Sequence, residues 1–287
     1  MTRVTVVTVA HGRHGHLDNQ HRSLALARRR PHRYLVVAMA DTAITAHCCW
    51  GLRRCVERVP APPQGLPLAA ARKHGVDSVL ARGADVVVVL DVDCLAGPGL
   101  VAAYAEAVER EPDVVWSGPV TYLPEPPPDG YPLDRIELLD DPHPARPDPG
   151  RGRRVVHDDP DLFWSLSFAM SAEAWRRSGG FCEDYVGYGG EDTDFGHLVV
   201  ERGLRHGWVG DARAYHQWHP VSDPPVEHLD DILRNASLFH GRWGRWPMTG
   251  WLRAFEELGL AVQVDGRWER APGRTGVPAL SPAPGPG

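Results

Sequence analysis

"DVVVVLDVDC", residues 85–94, sets five apolar residues, Val86 to Leu90, between one aspartate and an Asp-x-Asp. An unbroken β-branched run of this length describes a strand covered on both faces, as in a parallel sheet between two layers of helices. "RVTVVTVA" (3–10) and "YLVVAMAD" (34–41) read the same way, the second ending in Asp41, and "DVVWSGPV" (113–120) adds a further strand. Helical stretches alternate with them. One runs from about Asp18 to Arg30 and is ended by Pro31. A second spans Leu68 to Ala81, interrupted by Gly75 and closed near Gly83. A third is opened by Pro98 and places Leu100, Val101, Tyr104, Ala105 and Val108 on one face. This alternation predicts an α/β fold with a mostly parallel sheet, whose ligands sit beyond the carboxyl ends of its strands.

Outward from this region the pattern changes. Residues 124–154 are rich in Pro, Asp and Arg and read as a long surface loop, a lid by position. "DLFWSLSFAMS" (161–171) resumes as a strand; Ser171 caps a short helix that Gly179-Gly180 ends. Helices are expected near Val226–Phe239 and Gly250–Leu258, with a hairpin turning at Asp265-Gly266. The expected organisation is one sheet domain over 1–225 that contains the 124–154 insertion, a helical extension over 226–270, and a disordered tail over 271–287.

The 287 residues suffice for a full core, and a net charge of -6 argues against a nucleic-acid partner. No apolar stretch approaches the length of a membrane span, and the N-terminus reads as a strand rather than a signal peptide. The five cysteines lack metal-binding spacing and suit reduced thiols in a cytoplasmic protein.

Three features carry chemistry. Asp91 and Asp93 leave the end of the most apolar strand, and alternation directs both to one side, where a divalent cation would relieve their repulsion. "GYGGEDTDFG" (187–196) places three glycines before Glu191 and Asp192, either as the acidic first turn of a helix or as a carboxylate pair presented by a glycine loop. "YHQWHP" (215–220) offers His216 and His219, whose imidazoles can complete a site for Mn, Fe or Zn. No phosphate-binding glycine loop of the usual kinds is present. A nucleotide would therefore rely on a metal and on scattered groups such as His11 and Arg13 of "AHGRHGH", and Arg72. Tyr188, inside the glycine loop beside Gly189 and Gly190, could stack on a sugar.

Together these features resemble glycosyltransferases of the GT-A fold. The N-terminal half is similar to the large family-two type. "FWSLSFAMSAEAWRRSGGFCEDYVGYGGEDTDFGH" (163–197) resembles the galactosyltransferase C-terminal domain of β-1,4-galactosyltransferases, chondroitin-type polymerases and polypeptide N-acetylgalactosaminyltransferases. The similarity covers roughly residues 3–220. It implies that Asp93 binds Mn²⁺ and that Asp91 lies by the ribose or donor sugar. Asp41 would contact the nucleotide, and Arg72 the phosphate side. Glu191, with Tyr188, Gly189 and Gly190, would hold the acceptor while Asp192 acts as general base. A late histidine would complete the metal site; two branches of the resemblance select His216 and His219 respectively, so both stand. Departures are Arg72-Lys73 where Arg-Asn is usual and Cys182 where Asp is common. The activity implied is inverting, metal-dependent transfer from a nucleotide-diphosphate sugar, such as a UDP-sugar, to an acceptor hydroxyl. The alternatives are a sugar-nucleotide hydrolase, a nucleotidyltransferase, or a carbohydrate-binding domain without turnover.

Overall fold

Every residue from Val86 to Leu90 is buried, and the five side chains divide between two cores. Val86, Val88 and Leu90 enter one apolar cluster, while Val87 and Val89 enter the other, which is why no polar residue interrupts the run. The computed structural model describes residues 2–272, so of the tail expected over 271–287 only Ala271 and Pro272 are described.

The elements are, in chain order, β1 (Val4–Ala10), α1 (His14–Leu26), β2 (Arg33–Met39), β3 (His47–Cys49), β4 (Leu52–Val59), α2 (Leu68–Ala81) and β5 (Val86–Leu90). Then come β6 (Cys94–Ala96), α3 (Leu100–Arg110), β7 (Val114–Ser117), β8 (Val120–Tyr122), β9 (Arg154–His157) and β10 (Ser167–Ser171). The last are α4 (Ala172–Ser178), α5 (Glu191–Glu201), β11 (Arg205–Val209), β12 (Ala214–His216), α6 (Leu229–Trp243), α7 (Thr249–Glu257), β13 (Ala261–Val264) and β14 (Arg267–Arg270).

The central sheet has nine strands in the order β3-β4-β2-β1-β5-β10-β7-β11-β9. β1, β2, β4, β5, β7 and β11 run one way, so the sheet is mostly parallel as expected; β3, β9 and β10 run against them. α1 and α3 share one core with the sheet, whereas α2, α4 and α5 share the other. A small second sheet, β6-β12-β8, continues from the end of β5.

Several boundaries differ from the sequence reading. α1 begins at His14 and ends at Leu26, well before Pro31. Pro98 lies ahead of the Gly99 N-cap rather than inside the helix. Gly75 does not interrupt α2: a Cβ there would crowd Val7 and Val37, so the glycine lets the helix lie close on the sheet. β3 and β4 were not expected, because "LRRCVERV" is charged; it forms a strand next to the sheet edge, where its side chains are largely part-exposed. The 124–154 segment is also more than a surface loop. Its 3₁₀ turn at Leu133–Leu139 buries Leu133 and Ile136 against Leu95, Leu123 and Tyr215, and Arg213 pairs with its Asp140 and Asp148.

α6, α7 and β13 share a separate apolar cluster containing Leu229, Ile232, Leu252 and Phe255, and β13 and β14 form the expected hairpin. Among the described residues no helix is long and apolar enough to cross a membrane.

Candidate active site and metal centre

β5 ends in a turn, not in continued strand, and this separates the two aspartates. Gln20, buried on α1, holds the turn by donating from Nε2 to the carbonyls of Asp91 (2.6 Å) and Cys94 (2.8 Å). Its own Oε1 accepts from Thr8 Oγ1 and Tyr34 Oη. The expectation that both carboxylates face one cation is therefore corrected: Asp91 turns to Arg72, and Asp93 to a histidine corner.

That corner follows from strand register. β12 pairs antiparallel with β6 so that His216 stands opposite Cys94, one residue from Asp93. The Gln217 amide donates to the Asp93 carbonyl at 2.7 Å, and the chain then returns His219 to within 3.6 Å of the Asp93 carboxylate. One ligand atom from each of Asp93, His216 and His219 lies within 4.8 Å of the others. Both histidines named from sequence thus reach Asp93.

The electrostatics suit a cation. Burial disfavours charge on His216 and brings its pKa down to about 4; burial likewise lowers His219. Both imidazoles are neutral near pH 7, as metal ligands must be. Burial pushes Asp93 upward, but His16, Arg13 and the two other histidines outweigh it and hold the carboxyl below the ordinary range. Two imidazole nitrogens and one carboxylate oxygen form a donor set that fits Mn, Fe or Zn.

His16 was not singled out by the sequence reading. Its Nδ1 donates to Asp93 Oδ1 at 2.6 Å. The signal lay in "HGHLDNQ", where His16 and Gln20 are one helical turn apart on α1 and both face the Asp91–Asp93 turn.

Arg72 is the second hub. Fully enclosed on α2, it donates from Nη1 to Glu191 Oε1 (2.9 Å) and from Nη2 to both oxygens of Asp91 (2.9 and 3.2 Å). Arg72 thus pairs with two carboxylates at once, and its contact with a phosphate and that of Glu191 with an acceptor belong to the functional proposal. Burial disfavours charge on Arg72, but the two carboxylates outweigh it and raise its pKa. Burial raises both Asp91 and Glu191; the neighbouring Asp93 adds to the first and Asp192 to the second.

The glycine loop supplies the opposite wall. Gly189 and Gly190 have φ of 90° and 88°, in the left-handed region, and Gly190 is the N-cap of α5. Asn235 of α6 gathers the loop by donating from Nδ2 to the carbonyls of Val186, Tyr188 and Gly189. Both sequence readings of the two acids hold together. Glu191 and Asp192 do open the helix, yet Glu191 turns inward while Asp192 is only part-buried. Asp192 Oδ1 accepts from the Thr193 amide at 2.8 Å, and among the described residues no cationic side chain is in ion-pair contact with it. Tyr188 is 38% exposed, with its ring stacked on His228 at 4.5 Å.

A third acid, Asp194, is fully buried. Its Oδ1 accepts from Tyr185 Oη, Arg242 Nε and Trp243 Nε1, the last two from α6.

The N-terminal groups sit at the same sheet edge. Arg13 Nε lies 3.9 Å from Asp93 Oδ1. His11 donates to the Met39 carbonyl at 2.7 Å, which fixes its ring to β2. Asp41 accepts from the amides of Gly12 and Ala43 and from His14, so it shapes the loop that follows β1.

Comparisons with known proteins bear on the fold and on one segment of it. Residues 159–220 match a family profile described as the N-terminal domain of galactosyltransferase. The match spans the 163–197 stretch, the acids of α5 and both histidines. A search of curated protein sequences finds no significant match. GalNAc-T7 crystallised with UDP, GalNAc and Mn²⁺ is similar in structure, with a TM-score of 0.56 and 15% identity over 90% of this chain and 54% of that one. S. aureus TarS 1–349 gives a TM-score of 0.54 at 11% identity over 83% of this chain and 65% of its own. Its complex with UDP gives 0.54 at 13% identity with the same coverage. The chain thus spans 54–65% of the length of these structures. Its fold is the GT-A glycosyltransferase fold, with a galactosyltransferase-like segment over residues 159–220.

Proposed function

We propose that the protein is a glycosyltransferase that moves a sugar from a nucleotide-diphosphate donor, such as a UDP-sugar, to an acceptor hydroxyl with inversion. The observation that carries this reading is the meeting of Asp93, His216 and His219 at one end of β5, with the Asp192 carboxylate on the facing helix. The two UDP-bound neighbours, one of which also holds Mn²⁺, support it.

A divalent cation held by Asp93, His216 and His219 would supply Lewis-acid stabilisation to the departing diphosphate. Asp192 takes the proton of the acceptor hydroxyl as its oxygen bonds to the anomeric carbon. The bond from that carbon to the diphosphate breaks, and its electron pair leaves with the nucleotide. Base assistance of this kind is worth about 10²–10⁴-fold. Arg72 holds Asp91 and Glu191 in place across the site and stands on the phosphate side of the donor, with Glu191 towards the acceptor. Tyr188, with its exposed ring, and the backbone at Gly189 and Gly190 face the acceptor in this reading. His11, Arg13 and Asp41 border the nucleotide. A cytoplasmic location, in keeping with the five free thiols, belongs to the same proposal.

Calorimetric titration of UDP into the protein, with Mn²⁺ or with EDTA, tests the donor half. Binding is expected only with the metal, and Asp93→Ala should abolish it. Equal affinity in all three conditions removes the metal site. Retained anomeric configuration in the product, read by NMR, removes the single displacement.

A further inference from the structure

One small cleft is used by none of the roles above. Ser117, Gly118, His143, Arg146, Trp164 and Ser167 are among its walls. Arg146 comes from the 124–154 segment, and its guanidinium carbon sits 3.6 Å above the centre of the Trp164 ring. Its Nε is completely enclosed and bonds to nothing, and its Nη1 reaches only the carbonyl of Ala145. Among the described residues no carboxylate is in ion-pair contact with it. Part-buried as a residue, it differs from the chain's buried arginines, Arg54, Arg72 and Arg213, each of which pairs with at least one acid.

Arg146 is also linked to the proposed metal corner through a chain of ring contacts. It lies within electrostatic reach of Asp192 and of Tyr122, whose ring stacks on the His216 imidazole at 4.6 Å. His143 links the two aromatics, 5.1 Å from Tyr122 and 5.6 Å from Trp164. A stacked guanidinium is a rigid planar fork whose remaining N–H groups match the two oxygens of a carboxylate. The enclosed part of the cleft has a free volume of only about 10 Å³, so a sugar ring stays outside it and only the edge of a substituent reaches the guanidinium.

We propose that Arg146, stacked on Trp164, is a specificity-determining residue that binds the carboxylate of an acidic sugar, a hexuronate, brought next to Asp192. This rests on the transferase reading above and narrows its substrate class. The acidic sugar can arrive on the nucleotide or as the acceptor, because Asp192 stands where the two meet.

Two pairs of compounds that differ only at C6 separate these sources. The donor pair is UDP-glucose and UDP-glucuronate; the acceptor pair is methyl glucoside and methyl glucuronide, run with and without UDP and Mn²⁺. Affinities are measured by calorimetry or saturation-transfer NMR on the whole chain. The acidic member of one pair should bind about tenfold or more tightly than the neutral one, as expected for a charge-assisted contact. Arg146→Gln should bring that ratio close to one, and Arg146→Lys should retain only part of it; thermal unfolding confirms that both variants are folded. A preference in the donor pair assigns the carboxylate to the nucleotide sugar, and one in the acceptor pair assigns it to the acceptor. Equal binding within both pairs, or a preference that survives Arg146→Gln, overturns the proposal. Failure of UDP to bind with Mn²⁺ counts against the transferase reading alone, since the acceptor pair without UDP still reports on Arg146.

Discussion

His16 Nδ1 lies 2.6 Å from Asp93 Oδ1, a contact that ties the first helix to the proposed metal ligand across 77 residues of sequence. His16 orients the carboxylate through Oδ1, while His219 lies 3.6 Å from Oδ2 and His216 stands close by. Removing such an outer partner usually weakens metal binding by about 10–100-fold without abolishing it. His16→Ala should therefore lower Mn²⁺ affinity by that factor in a calorimetric titration, and His216→Ala should lower it further. Equal losses in the two variants would make His16 a ligand in its own right; no loss would free Asp93 from its influence.

Asp192→Asn keeps the shape and the helix start but cannot accept a proton. Transfer should fall by about 10²–10⁴-fold while UDP and Mn²⁺ binding are unchanged. Turnover near that of the wild type would exclude Asp192 as the base.

His206 gives the fold a pH dependence. It is 2% exposed, its Nε2 donates to the Gly196 carbonyl, and burial lowers its pKa from the ordinary 6.5 to about 4. As pH falls below 6.5 the unfolded chain takes up a proton that the folded chain refuses until about 4. Stability is thus lost on acidification through that window, by about 3 kcal/mol at its end. His206→Gln, which retains a donor for Gly196, lacks this loss. The stability gap between wild type and variant, from urea unfolding at pH 7 and pH 4, should shift by roughly that amount in favour of the variant. Parallel pH profiles would count against the assignment.

Gly187 and Gly203 share a left-handed backbone, with φ of 76° and 69°, but not the same surroundings. A methyl group at Gly203 meets open space, whereas one at Gly187 runs into the Asp231 carboxylate. Gly203→Ala should cost about 1–2 kcal/mol, the ordinary penalty for that conformation. Gly187→Ala should cost more in the same unfolding measurement and should also slow turnover, because Asp231 accepts from the Tyr188 amide in the glycine loop. Equal costs would mean that the loop gives way freely.

Much of this was legible in the sequence, because the features are local. The run Val86–Leu90 announces a doubly covered strand, whereas no spacing rule links Asp93 to His216 and His219; the family resemblance named them, and they do lie together. The partners were not legible. Asp-x-Asp looked like one paired site because alternation was extended past the strand end, whereas Gln20 holds a turn there and parts the two carboxylates. The two acids that pair with Arg72 could not be read off because they lie 19 and 119 residues away. Arg146 was hidden in a Pro-rich segment whose composition resembles disorder, although that segment buries Leu133 and Ile136. Charge on β4 masked a strand because its place near the sheet edge leaves most of its side chains part-exposed.

The clasp of Arg242 and Trp243 on Asp194 has a consequence for biosynthesis. Asp194 belongs to the same first helical turn as Asp192, and its two α6 partners are translated about 50 residues later. A ribosome releasing the chain from its N-terminus thus exposes the sheet and the proposed metal corner first, and the helix carrying the proposed base is secured only afterwards. Premature termination between Pro220 and Arg242, after both histidines, should yield a product able to capture a nucleotide but poorly equipped to use it.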